Sequence, residues 1–184
     1  YGRLVSVSMP APSLTARDFL RHASLTARFF WTDPATGTAF VGMGTAAELI
    51  AWGEDRFESI RQKARRLFEG IVIEGDASPR LFGGFAFQDD FVPDNTWTIY
   101  APAYFVLPHY QLTQRGEDVW LTMNVMLADD EDAGVLLPQL REALEVRYQA
   151  LLDGVTSSKQ SMRPIDVNYP MSFEAWSRII NDAT

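Results

Sequence analysis

Apolar residues along this chain recur at two spacings. Between Glu54 and Gly70 they fall three and four positions apart, at Phe57, Ile60, Ala64, Leu67 and Phe68. That spacing predicts a helix with one inward face, closed by the glycine. The same period returns over roughly 135–152, with Leu136, Leu140, Leu144 and Tyr148 inward, and again in "FEAWSRIINDA", which Ser172 caps. A shorter helix is expected through "ARDFLRHA", because Thr15 and Asp18 form a capping box. Elsewhere the pattern shortens to runs of β-branched and aromatic residues. "GRLVSVSMP" reads as a strand ended by Pro10 and Pro12. "RFFWT" and "TAFVGM" flank a Pro- and Gly-bearing turn and form one hairpin, and 98–113 with 119–127 form a second around "RGED". "RLFGGFAFQ" (80–88) is a strand carrying adjacent glycines, Gly83 and Gly84, which are expected at a close backbone approach or a positive φ. Residues 45–52 read as one or two helical turns. The order of helices and antiparallel hairpins makes the class α+β. "DGVTSSKQSMRP" opens a polar stretch, 153–170, that is the natural linker to the last helix.

With 184 residues, 47% of them hydrophobic and 12% aromatic, the chain can bury one core, and residues 1–184 are expected to form a single domain. The formal net charge of −8 argues against nucleic acid and anionic membrane as partners. The basic run "RQKARRL" (61–67) lies at helical spacing beside Glu54, Glu58 and Glu69, as on a solvated helix face. Without cysteine there is no disulfide, zinc–thiolate site or cysteine nucleophile. No apolar run has membrane-spanning length and no signal segment opens the chain, so a cytoplasmic location is expected. A start at Tyr1 rather than Met suggests a fragment of a longer protein.

Candidate chemistry is sparse. Gly42, Gly44 and Ala47 have the G-x-G-x-x-A spacing of a dinucleotide-binding turn, but they follow the second arm of a hairpin. The position about twenty residues on falls in a helix, where a second parallel strand is required, so a structural turn is expected. "DDEDAG" imitates the first half of a calcium loop through Asp129, Glu131 and Gly134. Ala133 and Leu140 then stand where the loop needs ligands, which leaves an acidic lead-in to a helix N-terminus. His22 and His109 sit in no metal or triad spacing, and Asp89, Asp90 and Asp94 are explained by turn formation. No G-x-S-x-G elbow or Walker loop occurs.

Several blocks in order resemble the opening of isochorismate synthases, members of the chorismate-utilising family that includes anthranilate and aminodeoxychorismate synthases. They are Phe29-Phe30-Trp31-Thr32, Val41-Gly42-Met43-Gly44-Thr45-Ala46, Phe82-Gly83-Gly84-Phe85-Ala86-Phe87, Trp97, Phe105-Val106-Leu107-Pro108 and the last helix. The resemblance implies part of an α/β/β/α sandwich with antiparallel sheets flanked by helices. It also implies that this is the N-terminal, non-catalytic portion, whose partner is the C-terminal catalytic half of the same chain. There a lysine base, a glutamate acid and carboxylates holding magnesium act on chorismate. The family lysine lies in a K-x-V-L-A/S-R motif that is absent here, and Lys63 and Lys159 do not match it. No catalytic, cofactor-binding or metal residue is carried over, and no cofactor is assigned to this portion. The absence of an L-L-E-S motif favours isochorismate synthase, of a menaquinone or a siderophore/salicylate pathway, over the amino-transferring members. The alternatives are another chorismate-utilising enzyme or a stand-alone binding module of the same fold. An apolar face meant for the missing half is expected to favour self-association.

Overall fold

The fold is described from a computed structural model over residues 2–21, 27–88, 100–128, 131–157 and 171–182. His22, Asp89, Asp90, Asp94, Trp97, Asp129 and Lys159 lie outside the described residues. Along the chain come β1 (Arg3–Pro10), α1 (Ala16–Arg21), β2 (Arg28–Asp33), β3 (Thr38–Met43) and β4 (Ala47–Ala51). They are followed by α2 (Arg56–Phe68), β5 (Val72–Glu74), β6 (Phe82–Phe85), β7 (Ala103–Leu107) and β8 (Tyr110–Arg115). The last three elements are β9 (Asp118–Leu127), α3 (Ala133–Ser157) and α4 (Phe173–Asp182). Six strands form one sheet in the order β2-β3-β8-β9-β1-β5, and three form another in the order β4-β7-β6. Every pairing is antiparallel except β1 with β5. The chain is α+β, as its pattern predicted.

Strand alternation sends the side chains of the large sheet to two faces. On one face Val5, Val7, Val41, Met43, Leu112, Leu121 and Met123 meet Phe19 of α1 and Leu144 and Leu151 of α3. On the other, Leu4 and Met126 share a core with Leu49, Ala51, Ala103 and Leu107 of the small sheet and with Ile60 and Leu67 of α2. The second face also buries Ser6, Gln111, Thr113, Thr122 and Asn124. Buried polar groups need partners, and for Gln111 the partner is irregular backbone. Gln111 accepts from Arg80 N (2.9 Å) and donates to Ser78 O (3.1 Å), while Ser8 Oγ accepts from Ala77 N (3.0 Å). The segment between β5 and β6 is thereby tied across the sheet.

The two sheets are joined by strands that pass from one to the other. β3 pairs β8 with Met43 opposite Tyr110, and β4 pairs β7 with Ala47 opposite Leu107. Residues 44–46 therefore stand against only 108–109, one residue in excess, which is how a bulge turns a corner between sheets. Gly44 takes φ +68°, and a side chain at Gly42 would enter the ring of Pro108. Asn124 holds the opposite strand at this corner. Its Nδ2 donates to Pro108 O (2.8 Å), its Oδ1 accepts from Ser6 Oγ (2.8 Å), and its backbone N donates to His109 O (2.8 Å).

Four expectations are corrected here. Residues 47–51 are a strand, with Leu49 and Ala51 buried and Glu48 and Ile50 turned away, because all five residues find partners on β7. Pairing and period-two burial override the helix preference of Ala and Glu. The run 98–113 contains two strands in different sheets, broken at Pro108 and His109. Of the glycine pair, only Gly83 is closely approached. A Cβ there would lie 2.1 Å from Tyr104 O and 2.6 Å from Phe105 Cα, whereas nothing lies within 4 Å of one at Gly84. Helix α3 runs to Ser157, into the stretch read as a linker.

Two outcomes follow for stability. Gly83→Val is expected to cost more than about 2 kcal/mol and Gly84→Val to stay within about 0.5 kcal/mol, compared by urea melts. Asn124→Ala strands the Pro108 carbonyl and the Ser6 hydroxyl, and is expected to lower unfolding free energy by roughly 2–3 kcal/mol in the same assay.

Candidate functional site

A concave stretch of the described surface lies beside the small sheet. An open groove of about 720 Å³ runs along Gly83, Gly84, Phe85 and Phe87, with Tyr100 and Tyr104 across from them. One lining residue, Phe85, is held by α2. Phe85 stacks on Phe57 of α2 (ring centroids 4.2 Å) and tilts against Phe105 of β7 (5.0 Å). Beneath them the Arg56 guanidinium, with 1% of the residue exposed, lies 4.7 Å from the Phe57 ring centre and donates to Ala86 O (3.1 Å). Arg56 therefore fixes the backbone that follows β6 rather than reaching into the groove. Position 56 lies one helical turn before Ile60 and thus on the buried face of α2. Phe57, expected inward, is instead half exposed, since it fronts the aromatic wall.

Across the small sheet the Tyr104 hydroxyl donates to Glu48 Oε1 at 2.6 Å. That hydrogen bond to a carboxylate, with some burial and the nearby negative charge, pushes the Tyr104 phenol up to about 12. The Tyr104 phenol is therefore neutral through the physiological range and donates to Glu48.

The described residues among those singled out in the sequence do not converge. Gly42 and Gly44 lie at the corner between sheets, and the strand β4 follows them directly, with no helix N-terminus to receive a phosphate. His109 lies at the same corner, edge-on to Tyr110, and burial, with Arg147 nearby, pushes its imidazole below the ordinary range. Glu131 accepts from Ala128 N and Asp132 from Gly134 N, so the described carboxylates of the acidic loop serve the approach to α3. Lys63 donates from α2 to the Ile50 carbonyl. Among the described residues no three His, Cys, Asp or Glu side chains come together. No described helix is long and apolar enough to cross a membrane.

Comparison with known proteins places the whole chain. Residues 1–184 match the chorismate binding enzyme family. The chain belongs to it. Among curated relatives, the isochorismate synthase MenF of Bacillus subtilis is 28% identical over 151 residues, covering 75% of this chain and 32% of that protein. The salicylate biosynthesis isochorismate synthase of Pseudomonas aeruginosa is 32% identical over 104 residues, covering 56% of this chain and 21% of that protein. The solved structure of MenF, the menaquinone-specific isochorismate synthase from Escherichia coli, matches with TM-score 0.48 and 14% identity, covering 90% of this chain and 31% of that one. This chorismate binding enzyme chain thus spans about a third or less of the length of these relatives.

Sequence reasoning named the groove's glycines but missed Arg56, Glu48 and Tyr104. The helical period carried a signal for Arg56. Glu48 and Tyr104 meet only through the β4–β7 register, which no local pattern encodes.

The Glu48–Tyr104 pair can be checked by absorbance titration. Tyr104 should ionise near 12, and Glu48→Gln should bring it back toward the ordinary phenol range. Because the folded value lies above the unfolded one, the pair's contribution to stability is complete below about pH 10 and is lost as pH rises through 12.

Proposed function

We propose that this chain is the N-terminal, non-catalytic portion of an isochorismate synthase, an enzyme converting chorismate to isochorismate for menaquinone or for siderophore/salicylate biosynthesis. One observation carries the reading. Both curated relatives are isochorismate synthases, and the chain aligns with a third or less of each. The base, the acid and the magnesium site belong to the remainder of such an enzyme, which works in the cytoplasm. The two lysines of this chain support that division, since Lys63 is engaged with a strand carbonyl and neither lies in the family's lysine motif.

The role of this portion is to complete the catalytic half. Helix α4 supports it, because Phe173 (74% exposed), Trp176 (52%) and Ile179 (54%) recur at helical spacing on its surface. An apolar stripe of this kind is suited to cover another part of the same enzyme. Nucleic acid and membrane are not partners in this reading.

The test is a coupled isochorismate assay on the purified chain with chorismate and magnesium, beside a full-length isochorismate synthase. A positioned base, acid and metal each supply orders of magnitude in rate, so activity should fall below about a hundredth of the full-length enzyme. Activity above that level overturns the proposal. Reading the coding sequence past residue 184 gives a second check. A K-x-V-L-A/S-R segment supports the proposal, and a stop codon there favours a stand-alone binding module.

A further inference from the structure

The strand registers align a row of side chains on the second face of the large sheet. Trp31 of β2 stands opposite Phe40 of β3, and Phe40 stands opposite Thr113 of β8. Trp31 stacks on Phe40 with ring centroids 5.4 Å apart, and the Arg80 guanidinium lies 4.0 Å from the Phe40 ring centre. Arg80 is brought there by its backbone N–H, which donates to the Gln111 side chain on the same face. A ring face holds a guanidinium through its quadrupole but offers nothing to the N–H edge.

That edge has no acceptor among the described residues. The Arg80 Nε is buried without a hydrogen-bond partner, and Arg80 makes no ion pair there. Arg56 and Arg147 also have an unpartnered Nε, but their guanidinium ends donate to Ala86 O and Met43 Sδ. Around Arg80, burial and the Arg115 charge push the guanidinium below its ordinary range. The described carboxylates on this face do not relieve it. Asp33 is held in its turn by Ala35 N and Thr36 Oγ1, and Asp118 stands opposite Arg115 in the register, with an ion pair to neither arginine among the described residues. A half-buried cation beside a second cation calls for an anion, in a chain whose net charge is already −8.

We propose that Arg80 receives a carboxylate side chain from the part of the enzyme beyond Thr184, over the platform of Phe40 and Trp31. The inference rests on the reading of this chain as the N-terminal portion of an isochorismate synthase, and it deepens that reading by naming the contact between the two portions. The sandwich architecture selects the occupant. Stacked sheets cover each other, yet among the described residues six strands face three. The small sheet meets this face at Leu4 and Met126, while Trp31, toward the other edge, is 50% exposed. The chain spans about a third or less of its curated relatives, so most of such an enzyme is available to complete the layer. A carboxylate matches the fork of a guanidinium with two parallel hydrogen bonds, and Arg115 adds a field of the same sign.

The test uses the full-length enzyme, once it is shown to convert chorismate to isochorismate, so failure of the underlying reading appears first and separately. Arg80→Lys sets an amine at the site, and a carbodiimide joins an amine to a carboxylate in contact with it. The chain's other lysines are Lys63 and Lys159, so peptide mass mapping assigns the new link. The expected link runs from position 80 to an Asp or Glu beyond residue 184. A link to Asp33, Asp118, Asp89, Asp90, Asp94 or any other carboxylate within residues 1–184 overturns the proposal, and so does the absence of a link at position 80. A double-mutant cycle gives an independent reading. Arg80→Met should raise the unfolding equilibrium constant of the full-length enzyme at least about tenfold. Converting the linked carboxylate to its amide in that background should then add less than about twofold. Effects that simply add overturn the pairing.

Discussion

The side-chain amide of Asn124 is the interaction on which the remaining architecture depends. It is fully buried, and it satisfies a hydroxyl of β1 and a carbonyl at the break between β7 and β8. A buried amide has fixed donor and acceptor positions, so it specifies where the chain must bend in a way that an apolar contact cannot. The bend sends β7 and its partner β4 out of the large sheet. There 38–51 and 103–115 pass from pairing in the large sheet to pairing in the small one, which gives the core around Leu49, Leu107 and Ile60 its second wall.

Everything about the groove descends from that departure. Once β4 and β7 leave the large sheet, they carry β6 with them, and β6 becomes an edge. The aromatic wall forms because α2 must cover the buried side of the small sheet, bringing Phe57 to Phe85 and Arg56 under Ala86. A buried guanidinium is tolerated there because carbonyls and a ring face meet it. Among the described residues near the groove, Arg56 holds the backbone after β6 and Tyr104 donates to Glu48.

The blocks through which the sequence resembles its family are aromatic and glycine positions of strands and turns. Gly42 and Gly44 make the corner, Gly83 permits close packing on β7, and Pro108 fills the space that Gly42 leaves. Their spacing mimics a nucleotide-binding loop, although its physical cause is the steric demand of a strand changing sheets.

Much of this was legible in the sequence because it is local. The amphipathic period of α2 and α3, the β2–β3 hairpin and the Thr15–Asp18 cap all arise from residues close together along the chain. The order of aromatic and glycine blocks likewise pointed to the family without any contact being known. Long-range pairing decided the rest. Residues 47–51 are a strand only because β7 lies alongside, and Arg56 rather than Phe57 is buried only because of where α2 meets the small sheet. The inward role of Asn124 depends on Ser6, 118 residues away. A sequence window carries propensity and period, both properties of neighbours along the chain. Which edge stays open and which polar side chain is buried depend on groups brought together by folding, so only the tertiary structure decides them.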